Sequence, residues 1–168
     1  MRRVDREEAT QLAVRDLERW RSAHGECGMC AIANGASGPI IAENDHATCV
    51  LDRLAARPGH LLVALRRHVE RFAELEWNEV ASLQRLAWQA ARALEATHAP
   101  ARVYVAMLGA SRPNGKSFPH VHTHVVPLAD GGPADRPATV FTWDSVVVYD
   151  DDEAHALAAR LRDAFPRE

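Results

Sequence analysis

Apolar residues recur at near-helical spacing in two stretches of this chain, and both stretches predict amphipathic helices. The first covers about residues 5–23, where Leu17 and Trp20 stand among arginine, aspartate and glutamate residues. The second runs from a predicted N-cap at Asn78 to about His98. Its apolar stripe consists of Val80, Leu83, Leu86, Ala87, Ala90, Ala91 and Leu94.

Short runs rich in β-branched and aromatic residues, bounded by glycine, proline, asparagine or aspartate, predict extended segments. The predicted strands cover about residues 39–43, 47–51, 60–65, 101–108, 118–128 and 140–149, and a last helix is predicted at about 152–165. The order is not a regular strand–helix alternation, and G-x-G-x-x-G and Walker patterns are absent from the sequence. The pattern therefore predicts an α+β fold, an antiparallel sheet with one main helix packed on a face.

The length of 168 residues suits one domain, 1–168, that buries a core without disulfides. Within it we expect an N-terminal helical extension at about 5–23, a core at about 26–128 and a C-terminal strand and helix at about 138–166. The composition, 47% hydrophobic and 26% charged, is ordinary for a globular protein.

The net charge of −3 gives no bulk electrostatic reason to bind nucleic acid or an acidic membrane. The sequence contains no run of 18 apolar residues, so it predicts no membrane-spanning helix. The first 20 residues are too acidic and too interrupted for a signal peptide, so we expect a cytoplasmic location.

Three of the nine histidines alternate with other residues within five positions, as His120, His122 and His124. On a strand, residues two apart face the same side, so the three imidazoles would form a row. The plainer alternative is a solvated strand face or a weak adventitious metal site. Imidazole is both a neutral nucleophile near pH 7 and a common zinc ligand.

Attack by a ring nitrogen on phosphorus would split one difficult displacement into two easier ones. Such a nucleophile needs its other nitrogen held as N–H by an acceptor, and it needs donors around the phosphate oxygens. The candidates for those donors are backbone amides and the side chains of Asn114, Lys116, Ser117 and His124.

Cys27 and Cys30 form a C-x-x-C pair, and Cys49 lies alone in an apolar stretch. Cys49 is expected to be a small buried hydrophobe. The pair has three interpretations: a redox pair, two unrelated thiols, or half of a zinc site. The spacing to any pair of histidines is longer than in a zinc finger, so spacing alone does not decide among them.

The segment HVHTHVVP resembles the signature of the histidine-triad family of nucleotide hydrolases and transferases. Residues 57–75, RPGHLLVALRRHVERFAEL, resemble the family's other hallmark, a strand entered through Pro-Gly-His and followed by a basic residue, a histidine and a short acidic helix. With the C-x-x-C pair, the resemblance covers about residues 26–128. It implies a half-barrel-like antiparallel sheet with a long central helix, assembled as a homodimer.

The resemblance also implies roles for individual residues. The middle histidine of the triad, His122, would be the nucleophile, and the third, His124, would contact the phosphate. Asp52, just before the Pro-Gly-His strand, would bind the ribose hydroxyls, although a turn-forming acid is the plainer interpretation. His60 begins a buried strand and is either a satisfied core histidine or a direct catalytic partner.

Zinc-bearing relatives imply a closed, structural zinc site completed by a histidine of the middle segment and the first histidine of the triad. In this sequence the four ligands would be Cys27, Cys30, His68 and His120. The chain departs from the family pattern at Lys116, where glutamine is frequent, at Leu128, where arginine is frequent, and at Thr123, where the residue is usually apolar. These departures affect the substrate more than the chemistry.

The sequence therefore predicts an enzyme that hydrolyses or transfers at the α-phosphate of an adenosine-type nucleotide, for example a phosphoramidate, an acyl-adenylate or a dinucleoside polyphosphate. Two alternatives remain at this point. One is a nucleotide-binding protein of the same fold without catalysis. The other is a phosphorylase, in which inorganic phosphate rather than water takes the nucleotidyl group from His122.

Overall fold

The structure is a computed structural model, and it describes residues 1–25, 27–36, 38–109, 119–130 and 132–166, with only the backbone at 22–24. Its helices are α1 (Arg6–His24), α2 (Gly28–Ala33), α3 (Trp77–His98), α4 (Pro137–Val140) and α5 (Asp151–Ala164). Two single turns of 3-10 helix lie at Phe72–Glu74 and Pro133–Asp135. The strands are β1 (Arg2–Val4), β2 (Ile40–Glu43), β3 (Ala47–Leu51), β4 (Leu54–Ala55), β5 (Leu61–Leu65), β6 (Arg102–Ala106), β7 (His122–Leu128) and β8 (Val146–Val148).

Five of these strands form the main sheet, in the order β2-β3-β5-β7-β6, and every neighbouring pair is antiparallel. A smaller antiparallel sheet joins β1, β8 and β4. The predicted α+β fold, an antiparallel sheet with one long helix, is therefore confirmed.

The register of the central strands separates the two faces of the main sheet. Thr48 of β3 lies opposite Ala64 of β5, which lies opposite His122 of β7, so their side chains share one face. The next positions along the strands, Cys49 and Val63, face the other way.

The two faces carry different helices. Cys49 and Val63 are fully buried in a core with the apolar stripe of α3 and the inner side of α5. On the other face, Leu62 and Ala64 pack against Met29 and Ile32 of α2, with Trp20 of α1. The long helix thus supports the sheet from behind, and the two N-terminal helices lie on the face that carries His122.

The predicted ends of α1 are confirmed to within a residue. Asp5 is the N-cap, and its carboxylate accepts a hydrogen bond of 2.9 Å from the Glu8 N–H. Gly25 ends the helix with a positive φ of 77°, which glycine adopts at little cost because it has no Cβ.

Several predicted boundaries are wrong. The strand predicted at 118–128 begins only at His122, and the one predicted at 101–108 ends at Ala106. The N-cap of α3 is Glu76, two residues before the predicted Asn78, and Glu79 completes a capping box with the Glu76 backbone. The strand predicted at 140–149 is only Val146–Val148, since Pro137 starts the short helix α4 instead. The sequence pattern also missed β1, β4 and α2, which are too short to show a period.

Cys49 is fully buried, as predicted, and burial raises the pKa of its thiol to about 12. In the described part of the chain, every helix is too short or too polar to cross a membrane.

Candidate active site and metal centre

A cavity of about 110 Å³ opens on the α2 face of the main sheet, beside β7. His122 and His124 both line it, and their ring centroids lie 4.8 Å apart at an angle of 72°. They are two positions apart along the strand, so the period of the strand alone brings both imidazoles to the cavity.

A backbone carbonyl holds the His122 ring in one orientation. Its Nδ1 lies 2.7 Å from the carbonyl oxygen of His120, and because a carbonyl only accepts, this nitrogen carries the proton. The lone pair of the neutral ring is therefore on Nε2. The side chain is only 5% exposed, and burial lowers the pKa of the imidazole, so the neutral form dominates at pH 7.

His60 is buried and forms a hydrogen bond with His124. The Ala56 N–H donates to Nδ1 of His60 at 3.2 Å, so the neutral His60 ring carries its proton on Nε2. That nitrogen lies 3.0 Å from Nδ1 of His124 and donates to it. The proton of His124 is then on its own Nε2. His60 is thus a satisfied core histidine that contacts the triad, and the alternative of a direct catalytic partner stays a prediction.

Burial keeps both of these imidazoles neutral. It lowers the pKa of His60 to about 3 and that of His124 to about 2, with further lowering from the neighbouring histidine rings. Neutral His124 can donate one hydrogen bond without adding a fixed positive charge to the cavity.

Asp52 lines the same cavity and contacts the other side of His60. Its Oδ2 lies 3.2 Å from Nδ1 of His60, and its Oδ1 accepts from the Leu54 N–H at 3.1 Å. Burial raises the pKa of this carboxyl to about 7. Since His60 is neutral at pH 7, the contact is not an ion pair, and a protonated Asp52 shares the one lone pair of Nδ1 with the Ala56 N–H.

A second cluster, which we call the Cys/His cluster, consists of Cys27, Cys30, His68 and His120, the four ligands that the resemblance implied. One donor atom from each lies within 4.8 Å of the other three. Nδ1 of His120 is 3.4 Å from the sulfur of Cys27 and 3.5 Å from that of Cys30, and Nδ1 of His68 is 3.5 Å from the Cys30 sulfur.

These distances fit a tetrahedral zinc ion. Zinc–sulfur bonds of about 2.3 Å and zinc–nitrogen bonds of about 2.0 Å place sulfur and nitrogen about 3.5 Å apart across a tetrahedron. The Nε2–H of His120 donates a hydrogen bond of 2.7 Å to the Leu65 carbonyl, which keeps the proton on Nε2 and leaves Nδ1 free as a ligand. Two thiolates and two neutral imidazoles would leave no open position for water.

Local structure explains how the chain assembles the Cys/His cluster. Cys27 is the N-cap of α2 and Cys30 lies in its first turn, and residues three apart lie on one side of a helix. His68 follows β5, and His120 precedes β7, the neighbour of β5 in the sheet. The short helix α2, which the sequence did not predict, therefore turns both sulfurs toward the two histidines.

Several residues of the cavity wall were not predicted from the sequence. They are Ala13, Asp16 and Trp20 of α1, Met29 and Ile32 of α2, Arg53, Leu54, Ala56, Leu62, Leu108, Phe141 and Trp143. The ring of Phe141 lies 5.2 Å from that of His124. The helical spacing of apolar residues in α1 indicated that Trp20 is buried. The sequence contains no pattern that predicts the contact of residues 141–143 with the same cavity.

Three predicted substrate-binding residues, Asn114, Lys116 and Ser117, lie outside the described residues. Leu128, which replaces the arginine frequent in the family, is fully buried against Val126 and Val140. Thr123 is 1% exposed, and its hydroxyl has no hydrogen-bond partner among the residues that the structure describes. Both departures from the family pattern therefore lie in the packed interior.

Comparison with known proteins gives a consistent result. A family profile described as the HIT domain matches residues 35–131, more than half of the chain. An uncharacterized HIT-like protein from Methanocaldococcus jannaschii is 27% identical over 106 residues, which make up 62% of this chain and 81% of that protein.

Solved structures show the same fold. A Zn-bound histidine triad family protein from Mycobacterium smegmatis is 23% identical, with a TM-score of 0.62, and the match covers 82% of this chain and 94% of that one. A hypothetical histidine triad nucleotide-binding protein from Sulfolobus tokodaii is 19% identical, with a TM-score of 0.65, over 82% of this chain and 91% of that one. At these identities the likeness establishes the fold.

Proposed function

The chain belongs to the HIT domain family, and from this premise we propose that it is an enzyme that cleaves a nucleoside phosphate derivative at the α-phosphorus, with His122 as the nucleophile. The observation that carries the proposal is the hydrogen bond between Nδ1 of His122 and the His120 carbonyl. It presents the unprotonated Nε2 in a cavity shared with His124 and Asp52.

The reaction proceeds in two displacements. The lone pair on Nε2 of His122 forms a bond to the α-phosphorus, and the bond from phosphorus to the leaving group breaks with its electron pair on the leaving group, which takes a proton from solvent. Water then attacks the phosphorus of the nucleotidyl-histidine and releases a proton to solvent, and the phosphorus–nitrogen bond breaks with its electron pair on Nε2. The products are a nucleoside monophosphate and the protonated leaving group, and His122 is restored.

The neighbouring side chains bind and orient in this scheme. His124 donates from Nε2 to a phosphate oxygen, since His60 occupies its Nδ1. Asp52 accepts hydrogen bonds from the ribose hydroxyls. Asn114, Lys116 and Ser117 supply further donors to the phosphate.

We propose that the Cys/His cluster holds one structural zinc ion. The metal would supply only a cross-link between α2 and the backbone beside His122, because all four positions around it belong to the protein. One zinc per chain after gentle purification is the expected metal content. A content far below one, with folding unchanged in Cys27→Ser, would remove the zinc from the proposal.

The test of the nucleophile is His122→Asn. Removal of covalent catalysis should lower kcat by roughly a thousandfold or more, while a nucleoside monophosphate still binds with a similar Kd. Turnover is measured on nucleoside phosphoramidates and dinucleoside polyphosphates, with and without inorganic phosphate, which also separates hydrolysis from phosphorolysis.

His155→Asn is the matched control, since His155 is exposed on α5. Unchanged turnover in His122→Asn ends the proposal, and binding without turnover in the unaltered protein shows a non-catalytic binding protein.

A further inference from the structure

The outer wall of the cavity comes from two parts of the chain that lie outside the matched residues 35–131. One is helix α1, which contributes Ala13, Asp16 and Trp20. These positions are spaced by three and four residues, so they lie on one face of the helix. The other is the segment after α4, which contributes Phe141 and Trp143.

Most of this wall is aromatic or apolar. Trp20 is 9% exposed and packs with Met29 and Ile32 of α2, which also line the cavity. Trp143 packs against Val4 and Val146 of the small sheet. Flat aromatic side chains around an apolar cavity suit a planar aromatic ring of a ligand.

The backbone at Trp143 supports a function for this segment. Its φ is 61°, in the left-handed region that bulky residues rarely adopt. Such a conformation costs free energy and persists only where the surrounding packing holds it, which is frequent at ligand-binding sites.

Asp16 is the polar exception in the α1 part of the wall. Its carboxylate is 18% exposed and lies 3.6 Å from a guanidinium nitrogen of Arg19, whose side chain is 68% exposed. That distance is longer than a normal hydrogen bond, so the Arg19 contact leaves acceptor positions on the carboxylate. Two other charged residues line the cavity. Asp52 contacts His60 and Leu54 and is assigned to the ribose hydroxyls, and the guanidinium of Arg53 lies 3.5 Å from the exposed carboxylate of Asp151.

We propose that this wall binds the nucleobase and that Asp16 selects guanine, an inference that rests on the proposed nucleotide function. An ionised carboxylate only accepts hydrogen bonds. Guanine presents adjacent donors, N1–H and the N2 amino group, to two carboxylate oxygens. Adenine presents one donor and one acceptor on the same edge, so its N1 lone pair would face a carboxylate oxygen. This proposal differs from the adenosine-type substrate expected from the sequence, which stays a prediction that the same test decides.

The test measures Kd for GMP and AMP with the unaltered protein, Asp16→Asn and Glu18→Gln. GMP should bind about tenfold or more tightly than AMP to the unaltered protein. An amide offers one donor and one acceptor, as adenine does, so Asp16→Asn should lower or reverse the preference by at least about tenfold. Glu18 is exposed on the same helix, and Glu18→Gln should change neither Kd by more than about twofold.

Trp143→Ala tests stacking separately from hydrogen bonding to the edge of the base. It should raise the Kd for GMP and the Kd for AMP by the same factor, because both bases stack. The guanine inference fails if AMP binds as tightly as GMP, or if Asp16→Asn leaves their ratio unchanged. If the guanine inference fails in either way, the proposed function still stands as long as both nucleotides bind and His122→Asn loses turnover. If neither nucleotide binds to the folded protein, both proposals fail.

Discussion

The ionisation of His60 and that of its neighbour Asp52 change the stability of the fold in opposite directions with pH. Burial lowers its own pKa to about 3, below the value of about 6.5 in an unfolded chain. Between these values the unfolded chain binds the extra proton, so stability falls as the pH is lowered through this window. Burial raises the pKa of Asp52 to about 7, so this group stabilises the fold at low pH and loses that contribution as the pH rises from about 4 to 7.

The two substitutions His60→Asn and Asp52→Asn should therefore change the pH dependence of stability with opposite signs. We expect His60→Asn to reduce the loss of unfolding free energy between pH 6.5 and 4.5, by roughly 2 kcal/mol. Asp52→Asn should increase that loss. Urea unfolding at both pH values measures the effect, and a change of the same sign in both variants would contradict the assignment.

Tyr149 fixes the entry to β5, where the chain turns into His60. Its hydroxyl oxygen accepts a hydrogen bond of 2.8 Å from the Gly59 N–H, in a buried position. Tyr149→Phe leaves that N–H unpaired and should lower the unfolding free energy by about 1–3 kcal/mol. Tyr104→Phe, at a half-buried tyrosine of β6, is the control and should cost less than about 1 kcal/mol. Equal costs in the two variants would show that the hydrogen bond contributes nothing.

At the scale of elements, α2 connects the Cys/His cluster to the cavity. The helix has six residues, too few to be stable alone. Cys30 points to the cluster, while Met29 and Ile32 line the cavity. Zinc in the cluster would therefore hold one wall of the proposed nucleotide site in place.

Removal of zinc should therefore loosen the cavity as well as the fold. Treatment with a chelator should lower Tm by several degrees and raise Kd for a nucleoside monophosphate, and added zinc should reverse both changes. Cys49→Ala is the control, because Cys49 lies on the other face of the sheet and its loss should leave the zinc content unchanged. A chelator-treated protein with unaltered Tm and Kd would contradict the structural role.

The elements that the sequence predicted are those with a clear period. Helices α1 and α3 and the strand of alternating histidines have enough residues to show theirs, and family resemblance placed the four members of the Cys/His cluster. The cavity wall was not predictable in the same way. Asp16 and Trp143 are far apart in the sequence, and only tertiary packing brings them to one cavity.

At the scale of the whole molecule, the main sheet ends in strand β6, which pairs on one side with β7. Val105 of this edge strand is 47% exposed. An edge strand with exposed apolar residues is suited to pairing with another chain. Together with the family resemblance, this leads us to predict a homodimer.

Light scattering should give twice the chain mass of 18.5 kDa. Val105→Lys should lower the measured mass toward that of one chain, since a charge would be buried at the interface. Val14→Lys, at an equally exposed valine of α1, should leave the mass unchanged. A monomeric unaltered protein would contradict the predicted homodimer.

The outer wall of the cavity comes from segments outside the matched residues 35–131, so it can be exchanged in chimeric proteins. The proposed nucleophile lies on β7, and the Cys/His cluster lies on α2 and on the segments next to β5 and β7, whereas Asp16 and Trp143 belong to flanking segments. We therefore expect that exchanging α1 and residues 141–143 between relatives changes the ligand preference and leaves β7 untouched. The pairing of β1 with β8 joins these flanks at their outer ends, so a successful graft has to transfer them as one unit.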